Sequence, residues 1–435
     1  MMDHNTILEI LNSEMVLATG CTEPAAIALT AANAGKQLGI PVEEVVVLAS
    51  GNMIKNAMAA GIPGTPYTGI DYAAAIGAAA ANPERSLEVV SGLPQETYDR
   101  ATKLVQGHKV SVDLANVTEK LYIDVTVKGG GESARAIISG GHTNVVLLEK
   151  NGKVVFEKGA ENAAGGGVTP ELILKTMTVA KIVEYIENMD TKNPPDIIMQ
   201  SIEINSAISE EGLAGNYGLN IGKTMQEAIN KGELTSSMLT QAVLVTSAGA
   251  DARMAGAPIS VVSNSGSGNQ GITATMPVVT VAKWLKSGDD KMIRAVTLSN
   301  LIPIYIKAKF GRLSALCGAT VAGTGAACGV TYLMGGGLKE ISYAIQNMVG
   351  NVTGMLCDGA KADCALKIHT CVNAAMQSAT MAMHQQRVEA TDGIVEEDVE
   401  NSISNFAELG NSGSVQMDAI ILRMMLDKGK RKATV

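Results

Sequence analysis

Apolar residues change their spacing along this chain, and that change limits what it can fold into. From His108 to Lys158 they fall at alternate positions: Val110, Val112 and Leu114, then Leu121, Ile123, Val125 and Val127. The runs 134–138, 145–148 and 154–156 follow, with Asn151-Gly152 between the last two. A period of two marks a strand, and Asn-Gly between two such runs marks a hairpin turn. An antiparallel sheet is expected here. Beyond Asn193-Pro194-Pro195 the chain reads as helices near 196–209, 223–232, 235–250, 274–287, 290–309, 338–349, 362–386 and 395–408, several of them separated by Gly-rich breaks. The expected class is α+β: an N-terminal α/β part (1–192) with an antiparallel sheet, then a larger, mostly α-helical domain (196–435). A length of 435 residues fits two or three domains.

Ahead of the sheet, residues 5–38 read as one long helix interrupted at Thr19-Gly20-Cys21-Thr22-Glu23-Pro24. Pro24 suits the first turn of the second piece, where its missing N–H costs nothing. Val45 to Ala49 reads as a short buried strand, 61–69 as a Gly/Pro-marked loop, 73–81 as an Ala-rich helix and 163–167 as a joint. Aromatic residues are only 3%, against 46 glycines and 22 methionines. A core of Ala, Val, Ile, Leu and Met implies closely packed helices, and the glycines imply backbone close to ligands.

Charge excludes some partners. The net charge is −9, and no basic stripe with interleaved aromatics appears, which argues against nucleic acid. The run Lys428-Gly429-Lys430-Arg431-Lys432 reads as a solvated tail. Met1 to Glu9 holds acidic residues and no apolar leader, so a cytoplasmic protein is expected. The stretch from Leu313 to Gly337 is rich in Gly, Ala and Thr and contains two cysteines, and reads as a buried helix pair rather than a membrane span. Ala- and Gly-rich helical surface points to a homodimer.

Five of six cysteines lie between 317 and 371: Cys317, Cys328, Cys357, Cys364 and Cys371. In a reducing compartment such clustering reads as metal-binding or catalytic. Zinc sites favour CxxC-like pairs, and none occurs. Wide spacings with flanking Gly suit an iron–sulfur cluster; buried core thiols are the alternative. Cys364 is expected in the first turn of a helix, where backbone N–H groups favour thiolate.

The stretches Thr19-Gly-Cys-Thr-Glu-Pro24, Cys317-Gly-Ala-Thr and Cys357-Asp-Gly-Ala-Lys361 closely resemble the L-cysteine desulfidase family, which is related to the α-chain of iron–sulfur L-serine dehydratases. The likeness runs over nearly the whole chain. It implies a 4Fe-4S cluster held by Cys317, Cys357 and Cys364, with the fourth iron left for substrate. It also implies that Cys21 is the catalytic base; the helix that starts near Pro24 is expected to lower its pKa. Cys328 is then a core thiol, and Cys371 a buried thiol near the site.

Other polar groups join these. Ser263-Asn264-Ser265-Gly266-Ser267-Gly268-Asn269-Gln270-Gly271 lacks the lysine of a P-loop and suits a carboxylate at a helix start. In the related dehydratases the matching loop holds the substrate. Asn52 and Lys55, in a stretch after a buried strand, read either as carboxylate ligands or as an ordinary surface loop. His142, between two strands, either orients or protonates a substrate group or is a turn histidine. Lys361 either compensates cluster charge or is a helix-start lysine. No pyridoxal phosphate motif is found. The expected activity is β-elimination from a small amino acid, L-cysteine first, giving sulfide, ammonia and pyruvate. An L-serine dehydratase and a non-catalytic iron–sulfur protein are the alternatives.

Overall fold

The computed structural model describes residues 2–119, 121–158, 168–310 and 316–433; the joint expected at 163–167 lies outside them. Its strands are β1 (Leu17–Thr19), β2 (Glu44–Ala49), β3 (Val110–Leu114), β4 (Tyr122–Gly129), β5 (Glu132–Ser139), β6 (Val145–Lys150), β7 (Lys153–Glu157) and β8 (Ser260–Val262). The helices of the first part are α1 (His4–Glu14), α2 (Thr22–Leu38), α3 (Gly51–Ala57), α4 (Ile70–Ala80) and α5 (Gln95–Gln106). Then come α6 (Pro170–Thr176), α7 (Val179–Asn188), α8 (Asp196–Ala214), α9 (Ile221–Asn230), α10 (Met238–Met254) and α11 (Gly268–Trp284). The chain continues through α12 (Asp289–Phe310), α13 (Gly318–Leu333), α14 (Leu338–Val352), α15 (Cys364–Met383), α16 (Val399–Asn411) and α17 (Val415–Ala433).

The α+β class is as expected. Six strands form one sheet in the order β3-β2-β4-β5-β6-β7, antiparallel from β2 to β7. The exception is β3, which lies parallel to β2, because the chain between them crosses over through α3, α4 and α5. In register, Val47 faces Val125 and Val125 faces Ala136, so alternate residues build one apolar face. That face packs with α2 and α4 in a core of Val, Ile and Ala. Asn151 and Gly152 both have positive φ (51° and 73°), as a tight hairpin turn requires. Where α4 crosses α2, a Cβ on Gly77 would lie 2.0 Å from the Ala28 carbonyl oxygen, so helices lacking large side chains meet backbone to backbone.

The second core is helical and centres on α12, α13 and α15. Almost every residue of α13 is buried. The uncharged stretch before Gly337 thus contributes one buried helix from Gly318, not a pair, and 313–315 lie outside the described residues. No helix among the described residues is long and apolar enough to cross a membrane.

The two cores do not follow one cut at Asn193-Pro194-Pro195. Ile7, Ile10 and Leu11 of α1, with Ile182 and Ile186 of α7, are packed in the helical core. Leu422 and Leu426 of α17 pack against the α/β core. The backbone of the basic run at 428–432 continues α17 instead of forming a tail.

Two more local differences position the site. The stretch from Gly51 is the helix α3 rather than a loop, capped by Ser50 in an extended conformation. The interruption at residue 19 contains β1, which pairs antiparallel with β8 (Leu17 opposite Val262, Ala18 opposite Val261). This ribbon draws the turn before α2 alongside the turn before α11.

Candidate active site

Several helices begin around one cavity. Cys21 caps α2, Ser267 caps α11, Cys317 caps α13 and Asp363 caps α15. The cavity measures about 180 Å³, room for a metabolite of a few atoms. The first turns of helices carry unpaired N–H groups and the positive end of the helix dipole, so their convergence favours an anionic occupant.

Cys317, Cys357, Cys364 and Cys21 all line this cavity. Local backbone bonds bring the first two together: Leu316 and Leu356 form a β-bridge, and the Cys317 N–H donates to the Met355 carbonyl at 2.9 Å. The loop between Cys357 and Cys364 is pressed onto α3. Gly359 has φ +99°, and a Cβ there would lie 2.1 Å from the Lys55 carbonyl oxygen, so only glycine fits. Asp358 ties the loop by pairing with Lys361 at 2.7 Å and with Lys367. Burial pushes the Asp358 carboxyl up, but the bonds and charges of Lys361 and Lys367 outweigh it and bring it down to about 2. The charge of Lys361 is thus taken by Asp358 beside it.

The three thiols fit an iron–sulfur group. Burial pushes Cys317 up to about 12, and the neighbouring Cys357 and Cys364 push it the same way. Cys364 is likewise raised, by burial first. Thiols that line one cavity are the donor type an iron–sulfur cluster takes, and binding it would ionise them. Among the described residues no three His, Cys, Asp or Glu side chains converge as ligands of one metal ion. Cluster ligands sit on different irons and need not converge on a point.

Cys21 is buried against Ala60, Met254, Ala360 and Cys364. The helix start does not win here. Burial raises the Cys21 thiol to about 11, although Arg253 opposes the rise through its charge and a hydrogen bond. The expected lowering fails because removal from water outweighs the helix terminus.

The Gly-rich stretch divides in two. Asn264 and Ser267 exchange backbone hydrogen bonds of 3.0 Å around a turn in which Ser265 and Gly266 have φ of 49° and 79°. Ser265, Gly266, Ser267 and Asn269 line the cavity. Ser263, Asn264 and Gly268 do not: the Ser263 hydroxyl donates to the Val16 carbonyl at 2.8 Å, the Asn264 amide donates to the Asn300 carbonyl at 3.0 Å, and Gly268 opens α11. Asn52 and Lys55 line the cavity from α3, and Lys55 is already paired with Asp418 of α17 at 2.5 Å. His142 lies between β5 and β6 and is not in the lining, nor are Cys328 and Cys371, both buried.

Arg253 and Gln270 also line the site; Gln270 belongs to the Gly-rich stretch expected to hold a carboxylate, whereas Arg253 was not among the expected residues. Each keeps a buried side-chain atom with no hydrogen-bond partner, Arg253 Nε and Gln270 Oε1. A signal for Arg253 was present: it is a charge inside Ala-Gly-Ala-Asp-Ala-Arg-Met, within a helix too apolar to have a wet face.

Comparison with known proteins extends these observations. A protein family described as serine dehydratase alpha chain matches residues 84–423. A protein of Oleidesulfovibrio alaskensis, named UPF0597 protein, is 45% identical over 97% of this chain and 97% of its own. Proteins of the same name from Porphyromonas gingivalis and Parabacteroides distasonis are 42% and 41% identical, over 98% and 97% of this chain and 100% and 98% of theirs. The match over most of the chain, including all four cavity cysteines but Cys21, makes this protein a member of the serine dehydratase alpha-chain family.

Proposed function

We propose that this protein is an iron–sulfur lyase that eliminates sulfide from L-cysteine, giving pyruvate and ammonia after hydrolysis. The observation that carries the reading is one small cavity lined by Cys317, Cys357, Cys364 and Cys21 together with a polar turn at a helix start. The first three cysteines would hold a 4Fe-4S cluster, which supplies an open, sulfur-loving Lewis acid for the leaving group.

The chain's own groups do the rest. Ser265, Gly266, Ser267 and Asn269, at the opening of α11, present hydroxyl, amide and backbone donors to the substrate carboxylate. Cys21 as thiolate takes the Cα proton onto Sγ. The electron pair left at Cα forms the double bond to Cβ, and sulfide departs with the pair of the broken C–S bond. The aminoacrylate tautomerises to an imine, and water converts it to pyruvate and ammonia. A thiol raised to about 11 is a strong base once ionised, and the Arg253 charge favours that ionised form.

The family's description as a serine dehydratase alpha chain favours a second reading, elimination of water from L-serine by the same groups. An anaerobic assay of the reconstituted protein separates them, with iron counted and both amino acids offered. Sulfide and pyruvate appearing together from L-cysteine, in proportion to iron, supports the first. Pyruvate from L-serine alone moves the assignment to the second, and a preparation that binds no iron and forms no product ends both.

A further inference from the structure

Arg253 is 6% exposed and sits in the last turn of α10, where Ala250, Asp251, Ala252 and Met254 are also buried. Its guanidinium donates to the Gly20 carbonyl at 2.9 Å and to Asn269 Oδ1 at 3.1 Å, and lies 3.5 Å from Met254 Sδ. The Cys21 thiol is a further partner; while it is protonated every partner is neutral, and Nε has none. Of the other cations near the site, Lys55 pairs with Asp418, and Lys361 and Lys367 pair with Asp358, while Lys307 also lines the cavity. No ion pair among the described residues includes Arg253.

A buried cation without an anion is costly, and proteins retain one where an anion completes it. Position narrows the anion. A Cβ on Gly268 would lie 2.2 Å from Arg253 Nε, so the guanidinium rests on bare backbone where α11 begins. An anion there meets both the fork of Arg253 and the positive end of α11, a pairing suited to a planar carboxylate. We infer that Arg253 is the specificity residue of this cavity, admitting ligands by their carboxylate. The inference rests on the reading that the occupant is a small amino acid, and it assigns a residue to one half of that molecule.

The test measures binding to the iron-loaded full chain, by anaerobic titration calorimetry. The probes are 3-mercaptopropionate, a thiol with a carboxylate and no amine, and cysteamine, a thiol with an amine and no carboxylate. Arg253→Gln should weaken 3-mercaptopropionate roughly 30-fold or more, the loss typical of a buried charged partner, and leave cysteamine nearly unchanged. Arg253→Lys should recover part of the loss. Gly268→Ala, which displaces the guanidinium without removing it, should reproduce the selective loss and serves where Arg253→Gln fails to load iron. Unchanged binding of 3-mercaptopropionate in the variants overturns the inference, as does equal loss of both probes with iron intact, or a wild type that shows no preference for the carboxylate probe. A wild type that turns over neither amino acid, yet binds 3-mercaptopropionate through Arg253, removes the proposed reaction and leaves the inference standing.

Discussion

Asp251, two residues before Arg253, shows what burial costs a charge when only one of its oxygens is bonded. Its Oδ2 accepts the N–H groups of Ile221 at 2.6 Å and Gly222 at 3.3 Å, at the start of α9. Burial nevertheless raises its pKa from 3.8 to about 6, against those bonds. A carboxyl raised on folding is protonated more readily in the folded state, so stability falls as pH climbs through the window from about 4 to about 6. Asp251→Asn keeps an acceptor for α9 and removes the titration. Urea melts at pH 4 and pH 7 should show the wild type losing on the order of 2–3 kcal/mol relative to the variant; parallel behaviour of the two proteins would refute the assignment. For the proposed chemistry, Cys21→Ala should keep its iron and lose at least about 100-fold in turnover, the usual worth of a positioned base. Cys357→Ala should fail to retain iron, read by metal analysis. At this scale the thiols were legible, because clustered cysteines without CxxC pairs have few uses. The raised thiol of Cys21 was not, and Arg253 was hinted at only by its charge inside an apolar helix: both depend on burial supplied by residues far away in the chain.

Helices and strands were mostly legible, and where the reading missed, tertiary packing is the reason. The alternating runs of 121–127 and 134–138 became β4 and β5 because one face of each is covered by the α/β core, whereas β7 at the sheet edge is exposed throughout. The parallel pairing of β3 was not legible, since nothing local says which neighbour a strand takes. Likewise α17 has little pattern of its own, and is held by Lys55–Asp418 and by Leu422 and Leu426 on the α/β core. Asp418→Asn would leave Lys55, itself nearly inaccessible, without its counter-ion. Because Asp418 is about a third exposed, the expected loss lies between the surface and buried limits, ~1–3 kcal/mol by chemical denaturation. The contact of α2 with α4 allows a sharper test. Gly77→Ala drives a methyl into the Ala28 carbonyl, and thermal melting should show a loss of about 2 kcal/mol or more. A neutral result there would mean that the two helices separate without cost.

Over the whole molecule, the site lies where the α/β part meets the helical part: Cys21, Asn52 and Lys55 come from one, and Cys317, Cys357 and Cys364 from the other. A group bound by the folded chain alone stabilises the folded state over the unfolded. Stripping iron from reconstituted protein should therefore lower its melting temperature and raise amide exchange at 316–317 and 355–364; unchanged melting with iron fully removed would count against ligation by these cysteines. The same crossing has a consequence for how the chain is made. α1, near the start, is a piece of the helical core, and α17, near the end, closes over the α/β core. On the ribosome the sheet and its helices emerge early but wait for 415–426 to cover them, while α1 waits for partners still unsynthesised. Neither half is complete before the other, so folding of this protein is expected to be largely post-translational.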